Sequence, residues 1–564
     1  MANNYSFSVM PSVSISRSRF ERKSQHKTSF NLGDIVPIYV DEVLPGDTRS
    51  IDLAALVRMS TPIAPIMDNI HLDLFAFYCP NRLVWDHWKE FMGENSASYG
   101  IPVGSYSVPA IDSDEKTSPD IATNETNYLK GLANYFGIPK GCIYREDDSG
   151  KVQISALPFR MYYRIYNDWF RNQNIIAPVP VYTGDDDGCV VSNTIGTKVF
   201  GTDMVAPLMK ASKLPDYFTK ALPYAQKGDA VTIPMSLTAP VVGAFDGNGD
   251  PVHHSLGTNS YQFGFTSQPD YNVLLGLDPG SNVSALDPDQ VPIKLGTINS
   301  SNLVADLSKV AGTIDQLRYA FQLQKFLWRD AAYGSRYWEI LAGHFNIKAS
   351  DASLQRPEFL GGHRIEINVD QVLSTAGYSN TSSTTVGAPG ANSVTGQKLS
   401  LFTKSFTEHG FIFILAVARH DQTYTQGINR MWMRKSKFDY YWPEFAMLGS
   451  QEVKLDEIYY AYNADRSTLF GYQEAWSEYR YKPSIATGLL NPGVTGALDY
   501  WTLANDYGSA PSLNQTFIEQ GRTALARALV TGSTGPDFIG DFFFRDIAVR
   551  PMPTYSIPGL ADHH

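Results

Sequence analysis

The sequence predicts a mainly β protein, a β-sandwich closed by its first and last ordered segments. Three observations predict it. Short apolar runs with a period of two residues occur early and late in the chain. Only two passages carry a helical period. The connections between the runs far exceed hairpin length, the pattern of a sandwich bearing long inserted loops.

The elements follow in chain order. "IVPIYVDEVLPGD" (35–47) reads as a strand ending in a Pro-Gly turn. "IHLDLFAFYCP" (70–80) opens with Ile70, Leu72 and Leu74 in alternation, the mark of a half-buried strand, and stops at Pro80. "LPFRMYYRIYNDWFRNQN" (157–174) sets Phe159, Tyr162, Tyr166 and Trp169 at helical spacing. "TIDQLRYAFQLQKFLWRD" (313–330) has Thr313 as N-cap with Gln316 three residues on, then an apolar stripe of Ile314, Leu317 and Phe321. Both helices are expected to face the core. "RIEINV" (364–369) alternates through Ile365, Ile367 and Val369, "FIFILAVA" (411–418) is apolar throughout and suits burial on both faces, and "DFFFRDIAV" (541–549) is a last strand.

Four regions are expected: a basic N-terminal arm at 1–30, a first sandwich part with helical insertions at 31–231, an inserted surface lobe at 232–312, and helices with the second sandwich part at 313–564. Residues 232–300 hold six aspartates, one lysine and no Arg or Glu, and are full of turn dipeptides, so the lobe is expected to face solvent. Residues 374–397 contain no charged side chain and read as a flexible loop.

Composition limits the function. Charged residues make up 18% of the chain, below the usual ~25%, while aromatics reach 13%. Low charge with many rings suits either a large aromatic core or surfaces buried against partners. Cys79, Cys142 and Cys189 form no metal or redox spacing, the N-terminal residues lack a signal-peptide pattern, and no apolar run is long enough to span a bilayer. A soluble chain made in a reducing cytoplasm is expected, with no membrane insertion and no cofactor.

Catalytic motifs are absent: there is no GxSxG, HExxH, Walker A or GxGxxG before a helix. "DGNGDP" spaces Asp246, Asn248 and Asp250 like half a calcium loop, but Pro251 stands where Gly is needed and position twelve is Gly257. Asp185–Gly188 ("DDDG") reads as a solvated loop, and adjacent His253 and His254 diverge on a strand. Asn282 opens a sequon without evidence of secretion. Glu444 among aromatics, or Asp439, would serve as acid only if a second carboxylate joined it.

Basic and aromatic stretches remain. The chain carries 46 Lys+Arg against 57 Asp+Glu, yet "SRSRFERKSQHK" (16–27) gathers Arg17, Arg19, Arg22, Lys23 and Lys27 against Glu21 alone. It is Ser-rich, lacks apolar periodicity and cannot fold alone, and basic terminal arms bind nucleic acid. "NRMWMRKSKFDYYW" (429–442) joins Arg430, Arg434, Lys435 and Lys437 to five rings, and "YQEAWSEYRYKPS" (472–484) repeats the mixture. Cations beside rings are what single-strand binding requires; core and subunit interface are the competing reading for the rings.

Several long segments resemble the major capsid protein of Microviridae, nearest its gokushovirus branch. They include "LDLFAFYCPNRLVWDHWKEFMGE" (72–94), "SKLPDYFTKALPYAQKG" (212–228), "LQRPEFLGG" (354–362), "TKSFTEHGFI" (403–412), "YWPEFAMLG" (441–449), "FGYQEAWSEYRYKPS" (470–484) and "RPMPTYSIPGLADHH" (550–564). Residues 232–300 and the neutral loop depart from the family pattern. The resemblance implies a single eight-stranded antiparallel jelly-roll β-sandwich with long inserted loops containing helices. It implies a T=1 icosahedral shell of this chain around circular single-stranded DNA, with no catalysis. It also implies an internal scaffolding protein, a small basic DNA-binding protein and a DNA pilot protein as partners.

Interior DNA contacts are expected at Arg17, Arg19, Arg22, Lys23, Lys27, Arg434, Lys435 and Lys437. The lobe is expected to form threefold protrusions that meet a host surface receptor, through Asp246, Asn248, Asp250, Asp270, Asp278, Asp287 and Asp289. A monomeric jelly-roll module that binds carbohydrate or a receptor is the competing function. A carbohydrate-active enzyme is a third.

Overall fold

The computed structural model describes residues 16–94, 106–112, 114–115, 129, 131–139, 144–145, 153–185, 206–229, 231, 241–243, 255–256, 259–260, 303–305, 314–375, 386–387, 389–460 and 468–555. The chain divides into two compact units, Met1–Lys227 with Trp328–His564, and Gly228–Leu327. In the second unit the described residues form three-residue strands, Val241–Gly243 paired with Leu303–Ala305, a shorter pair at 255–260, and most of a helix.

The first unit is built on two four-stranded antiparallel sheets. We label their strands β1 (Ser18–Phe30), β2 (Val36–Val43), β3 (Thr48–Met59), β4 (Ile70–Pro80), β5 (Glu358–Ile367), β6 (Val394–Ser405), β7 (Gly410–His420) and β8 (Phe538–Arg550). One sheet has the order β1-β8-β3-β6 and the other β5-β4-β7-β2. The chain alternates between them at nearly every connection, and the first and last strands lie side by side. That is jelly-roll connectivity.

Alternation decides what each face does. On β4, Ile70, Leu72, Leu74 and Ala76 point into the core between the sheets, where they meet Ile51, Leu53, Ile414 and Phe542. Phe77 and Cys79 point the other way, into a second core with Phe413, Leu415 and Val417 of β7. Helix α1 (Leu157–Ile165) closes that second core, burying Phe159, Tyr162 and Tyr163 against the sheet. Pro158 near its start fits the free N–H positions of a first turn. So β4, expected to be half-buried, is buried on both faces, as β7 was expected to be.

Among the described residues no such layer covers the other sheet. The outward residues of β8, Ile539, Phe543 and Arg545, remain open, as do Leu56 and Arg58 of β3.

Three expectations are revised. Residues 18–30, read as an arm unable to fold alone, form a strand along the edge of the first sheet, paired with β8 from Ser18↔Arg550 to Phe30↔Phe538. The pairing supplies the partner that the segment's own composition lacks. The tail of the neutral loop is also ordered, in Pro389–Asn392 and β6. Helix α2 (Ile314–Tyr333) forms, but Ile314 and Phe321 of its apolar stripe are 69% and 63% exposed, and the buried residues are Ala320 and Ala331 on another side. A following helix, α3 (Tyr337–Phe345), ends at Asn346 in the left-handed region.

One glycine is required by space. Gly33, at φ +83, would put a Cβ 2.2 Å from the carbonyl oxygen of Gln520. In the core, Phe542 is fully buried and packs between the sheets. Phe542→Ala is expected to cost about 3–5 kcal/mol in denaturant unfolding of the isolated subunit, the usual price of an aromatic cavity; a loss below about 1 kcal/mol would show that the sheets do not close on this ring.

Candidate nucleic-acid interface

The uncovered face of the β1-β8-β3-β6 sheet is assembled by register. Odd-numbered residues of β1 point outward, so Arg19, Lys23 and Lys27 share a face. Pairing sets Lys23 beside Arg545 and Asp52, Gln25 beside Phe543 and Ala54, and Lys27 beside Asp541 and Leu56. The next strand adds Lys398 opposite Ala54, and Arg58 lies opposite Ile539. A shallow depression of about 420 Å³ runs here between Phe543, Leu56, Gly396 and Lys398.

The anions of this face are already engaged. Glu21 accepts from Arg545 at 2.8 Å, and its carboxyl is held below its usual value by that hydrogen bond and by the charge of Lys23. Lys23 itself stands 3.5 Å from Glu21. Asp541 accepts from the Gln25 amide at 2.7 Å. Among the described residues Arg17, Arg19, Lys27, Arg58 and Lys398 form no ion pair. The result is an exposed, cation-rich sheet with an accessible ring, able to neutralise phosphates and to stack a base.

Arg22 does something else. Its side chain turns inward and pairs with Asp41 of β2 and Asp546 of β8. Arg49 of β3, fully buried, donates to Asp546 at 3.0 Å and also pairs with Asp41, while Arg550 meets Asp47 at 3.1 Å. The Tyr39 hydroxyl donates into the same group, 3.1 Å from Asp546. Burial opposes ionisation of Asp41, but the hydrogen bond from Arg22 and the charge of Arg49 outweigh it and hold the carboxyl below its usual value. The same balance acts on Asp73 of β4, where burial is outweighed by Arg364 and Arg419.

The second predicted cluster is also divided. Arg434 is 9% exposed, bonds Glu478 at 3.2 Å and lies over the Tyr479 and Tyr440 rings, so its guanidinium is occupied. Lys437 is exposed and lies over Phe438, and Lys435 is exposed beside it. Around them Trp432, Phe438, Tyr440, Tyr441 and Trp442 are open, and Met447 is 90% exposed. Two rings of the "YQEAWSEYRYKPS" stretch turn inward, Trp476 and Tyr481.

Glu444 is exposed on this surface. Asp439 accepts from the Ser436 and Lys435 backbone N–H groups, which hold its carboxyl below its usual value, the wrong direction for a proton donor. Asp246, Asn248, Asp250, Asp270, Asp278, Asp287 and Asp289 lie outside the described residues. Among the described residues no cluster of metal-ligating side chains occurs and no helix is long and apolar enough to cross a membrane.

Sequence reasoning missed Arg58, Lys398 and Arg545. Alternation in "TRSIDLAALVRM" would have set Arg58 opposite the core residues; Lys398 borders the stretch read as a loop.

The paired carboxylates set an acid sensitivity. Asp41 and Asp73 ionise below their unfolded value of about 3.9, so they add stability above that pH and lose it as pH falls through their lower folded values. Asp537 has the opposite sign, because burial raises it despite the Leu32 N–H and Arg522. Asp73→Asn should lower stability at pH 7 and flatten the acid limb of a stability–pH profile. An unchanged limb would mean that its two arginines do not hold the ionised form.

The capsid protein (F protein) family model matches residues 8–560. Capsid protein VP1 of Bdellovibrio phage phiMH2K is 38% identical over 99% of this chain and 98% of its own length. Capsid protein VP1 of Chlamydia phage 1 is 38% identical, over 98% and 97%, and that of Spiroplasma virus 4 is 34% identical, over 99% and 98%. The chain belongs to the capsid protein (F protein) family, the Microviridae capsid family that its sequence resembles.

Proposed function

We propose that this capsid protein builds a T=1 icosahedral shell around circular single-stranded DNA, with the cationic face of the β1-β8-β3-β6 sheet turned toward the genome. The observation that carries this reading is the set of cations Arg19, Lys27, Arg58 and Lys398, which form no ion pair among the described residues, on a sheet face that no other layer of the described subunit covers. A multi-subunit shell follows from the family, and open rings such as Trp432 and Phe438 suit contact with neighbouring copies. They count against a module that remains monomeric. The internal scaffolding, DNA-binding and pilot proteins belong to this reading by resemblance.

Neutralising Arg17, Arg19, Lys23 and Lys27 together to Gln, with Arg22 left in its ion cluster, tests the orientation. Each phosphate contact on a single strand contributes about 0.7 to the salt slope, so the slope of log K against log salt should fall by roughly three. Packaged DNA per particle should fall with it. An unchanged slope and full packaging would exclude this face as the genome contact.

The lobe at 232–300 is proposed as an exterior, host-receptor surface that includes Asp246, Asn248, Asp250, Asp270, Asp278, Asp287 and Asp289. Support comes from its six aspartates against one lysine, since an acidic surface repels nucleic acid. Replacing 232–300 with a short linker should leave particles that form, seen by electron microscopy, but adsorb poorly to host cells. Loss of all particles would make the lobe an assembly element instead.

A further inference from the structure

Between β7 and β8 the chain carries an apolar surface that the folded subunit leaves open. Phe438, Tyr440, Tyr441, Trp442 and Tyr479 are each about half exposed. They adjoin one another: Tyr441 lies 6.3 Å from Tyr479, and the Arg434 guanidinium lies over both Tyr440 and Tyr479. Rings of this size, half open, leave roughly 500 Å² of apolar area. That is already near the upper end of the largest patch on an ordinary monomer, roughly 300–600 Å². Exposed Met447 and Leu448 extend it toward the roughly 800 Å² that one partner gives to a stable contact.

The surface has a knob and a hollow side by side. The hollow, about 320 Å³, is walled by Phe438, Phe445, Leu448, Ala475 and Trp476. Met447, next in sequence to Leu448, stands almost wholly clear of its own subunit. Its turn is held on both sides. The Phe445 carbonyl accepts from the Trp476 indole N–H at 2.9 Å, and the Gly449 carbonyl accepts from the Ala475 N–H at 2.9 Å. Gly449, at φ +83, is tied down further, since a Cβ there would fall 2.8 Å from the Trp328 ring. A methionine presented on so fixed a turn is preorganised, and its unbranched side chain suits an irregular apolar hollow.

Charge repeats this pairing of opposites. Lys435, Lys437 and Glu444 are exposed and form no ion pair among the described residues, whereas Arg434 and Glu478 engage each other. The patch therefore holds unmatched bases and an unmatched acid together.

These features select the occupant. Single-stranded DNA would use the lysines and rings, but Glu444 would oppose it and Met447 would have no role. A second copy of this chain uses all of them. A contact about a threefold or fivefold axis joins two different patches, whereas a contact about a twofold axis joins one patch to itself. Knob with hollow, and acid with bases, lie here on a single patch. We propose that this surface is the twofold contact of the shell, with Met447 of each copy entering the hollow of its neighbour and Glu444 facing Lys435 and Lys437 across the axis. The proposal rests on the shell reading above and gives that shell one named contact.

The test expresses the full chain with the remaining phage genes and reads particle yield by sedimentation and electron microscopy. Met447→Lys should lower the yield roughly tenfold or more, because it drives a charge into an apolar hollow. The unassembled variant should unfold at the wild-type temperature, since Met447 is so little buried in its own subunit. Glu444→Lys should also lower the yield, and adding Lys435→Glu with Lys437→Glu should restore it. A thiol-directed photo-cross-linker on Met447→Cys should join chains in pairs and no further, with the products mapping to 438–451 or 474–476. Normal yield in Met447→Lys overturns the contact. So does a cross-linked ladder reaching trimers or pentamers, or a product with another virion protein. Loss of oligo(dT) binding in subunits carrying Lys435→Gln and Lys437→Gln, at unchanged particle yield, would assign the patch to DNA instead. Each of those outcomes leaves the shell standing, whereas wild-type chains that form no particle overturn the shell reading and this contact with it.

Discussion

The cluster of Arg22, Arg49 and Arg550 with Asp41, Asp47 and Asp546 is the constraint on which the sandwich depends. It joins β1, β2, β3, β8 and the turn at Asp47, so both sheets and both ends of the chain meet in one ion network. Buried charges are costly to desolvate, and the cost is offset only when each finds its partner. Asp546 stands opposite Arg22 in the strand ladder and accepts from Arg49 on the other side. A slip of one residue in β8 would turn Asp546 to the outer face and take from Arg22 and Arg49 the buried carboxylate they share. Removing one partner of such a network costs roughly 3–5 kcal/mol, whereas an apolar set of similar shape can be tolerated. The network therefore selects a register more than it adds stability.

That arrangement also explains how one basic segment serves two purposes. Alternation sends Arg22 inward to the network and Arg19, Lys23 and Lys27 outward. The strand is anchored by the residue that is unavailable to phosphate and exposes those that are available. The sheet opposite is covered over β4 and β7 by α1 and its rings.

Much of the sandwich was legible because its strands announce themselves by period. Ile70, Leu72 and Leu74 fall on the core side as expected, and the continuous apolar run at 411–418 has two buried faces because α1 covers the second. Strand β1 was not legible, since its inward side carries Ser18, Arg22, Ser24 and His26, and its partner lies more than five hundred residues away. The pairing of Arg434 was not legible for a related reason: its partner Glu478 is distant in sequence. Helix α2 was placed correctly, but its stripe does not report burial in this chain.

The adjacency of β1 and β8 has a consequence for how the protein is made. On the ribosome, residue 18 emerges long before residue 550, and β8 also lies between β1 and β3 in the sheet. The first sheet cannot close until translation is nearly finished, and contacts of such sequence separation form slowly. A nascent chain thus waits with an unpaired edge, and only a fully synthesised copy can present the finished surface on which a lattice is built.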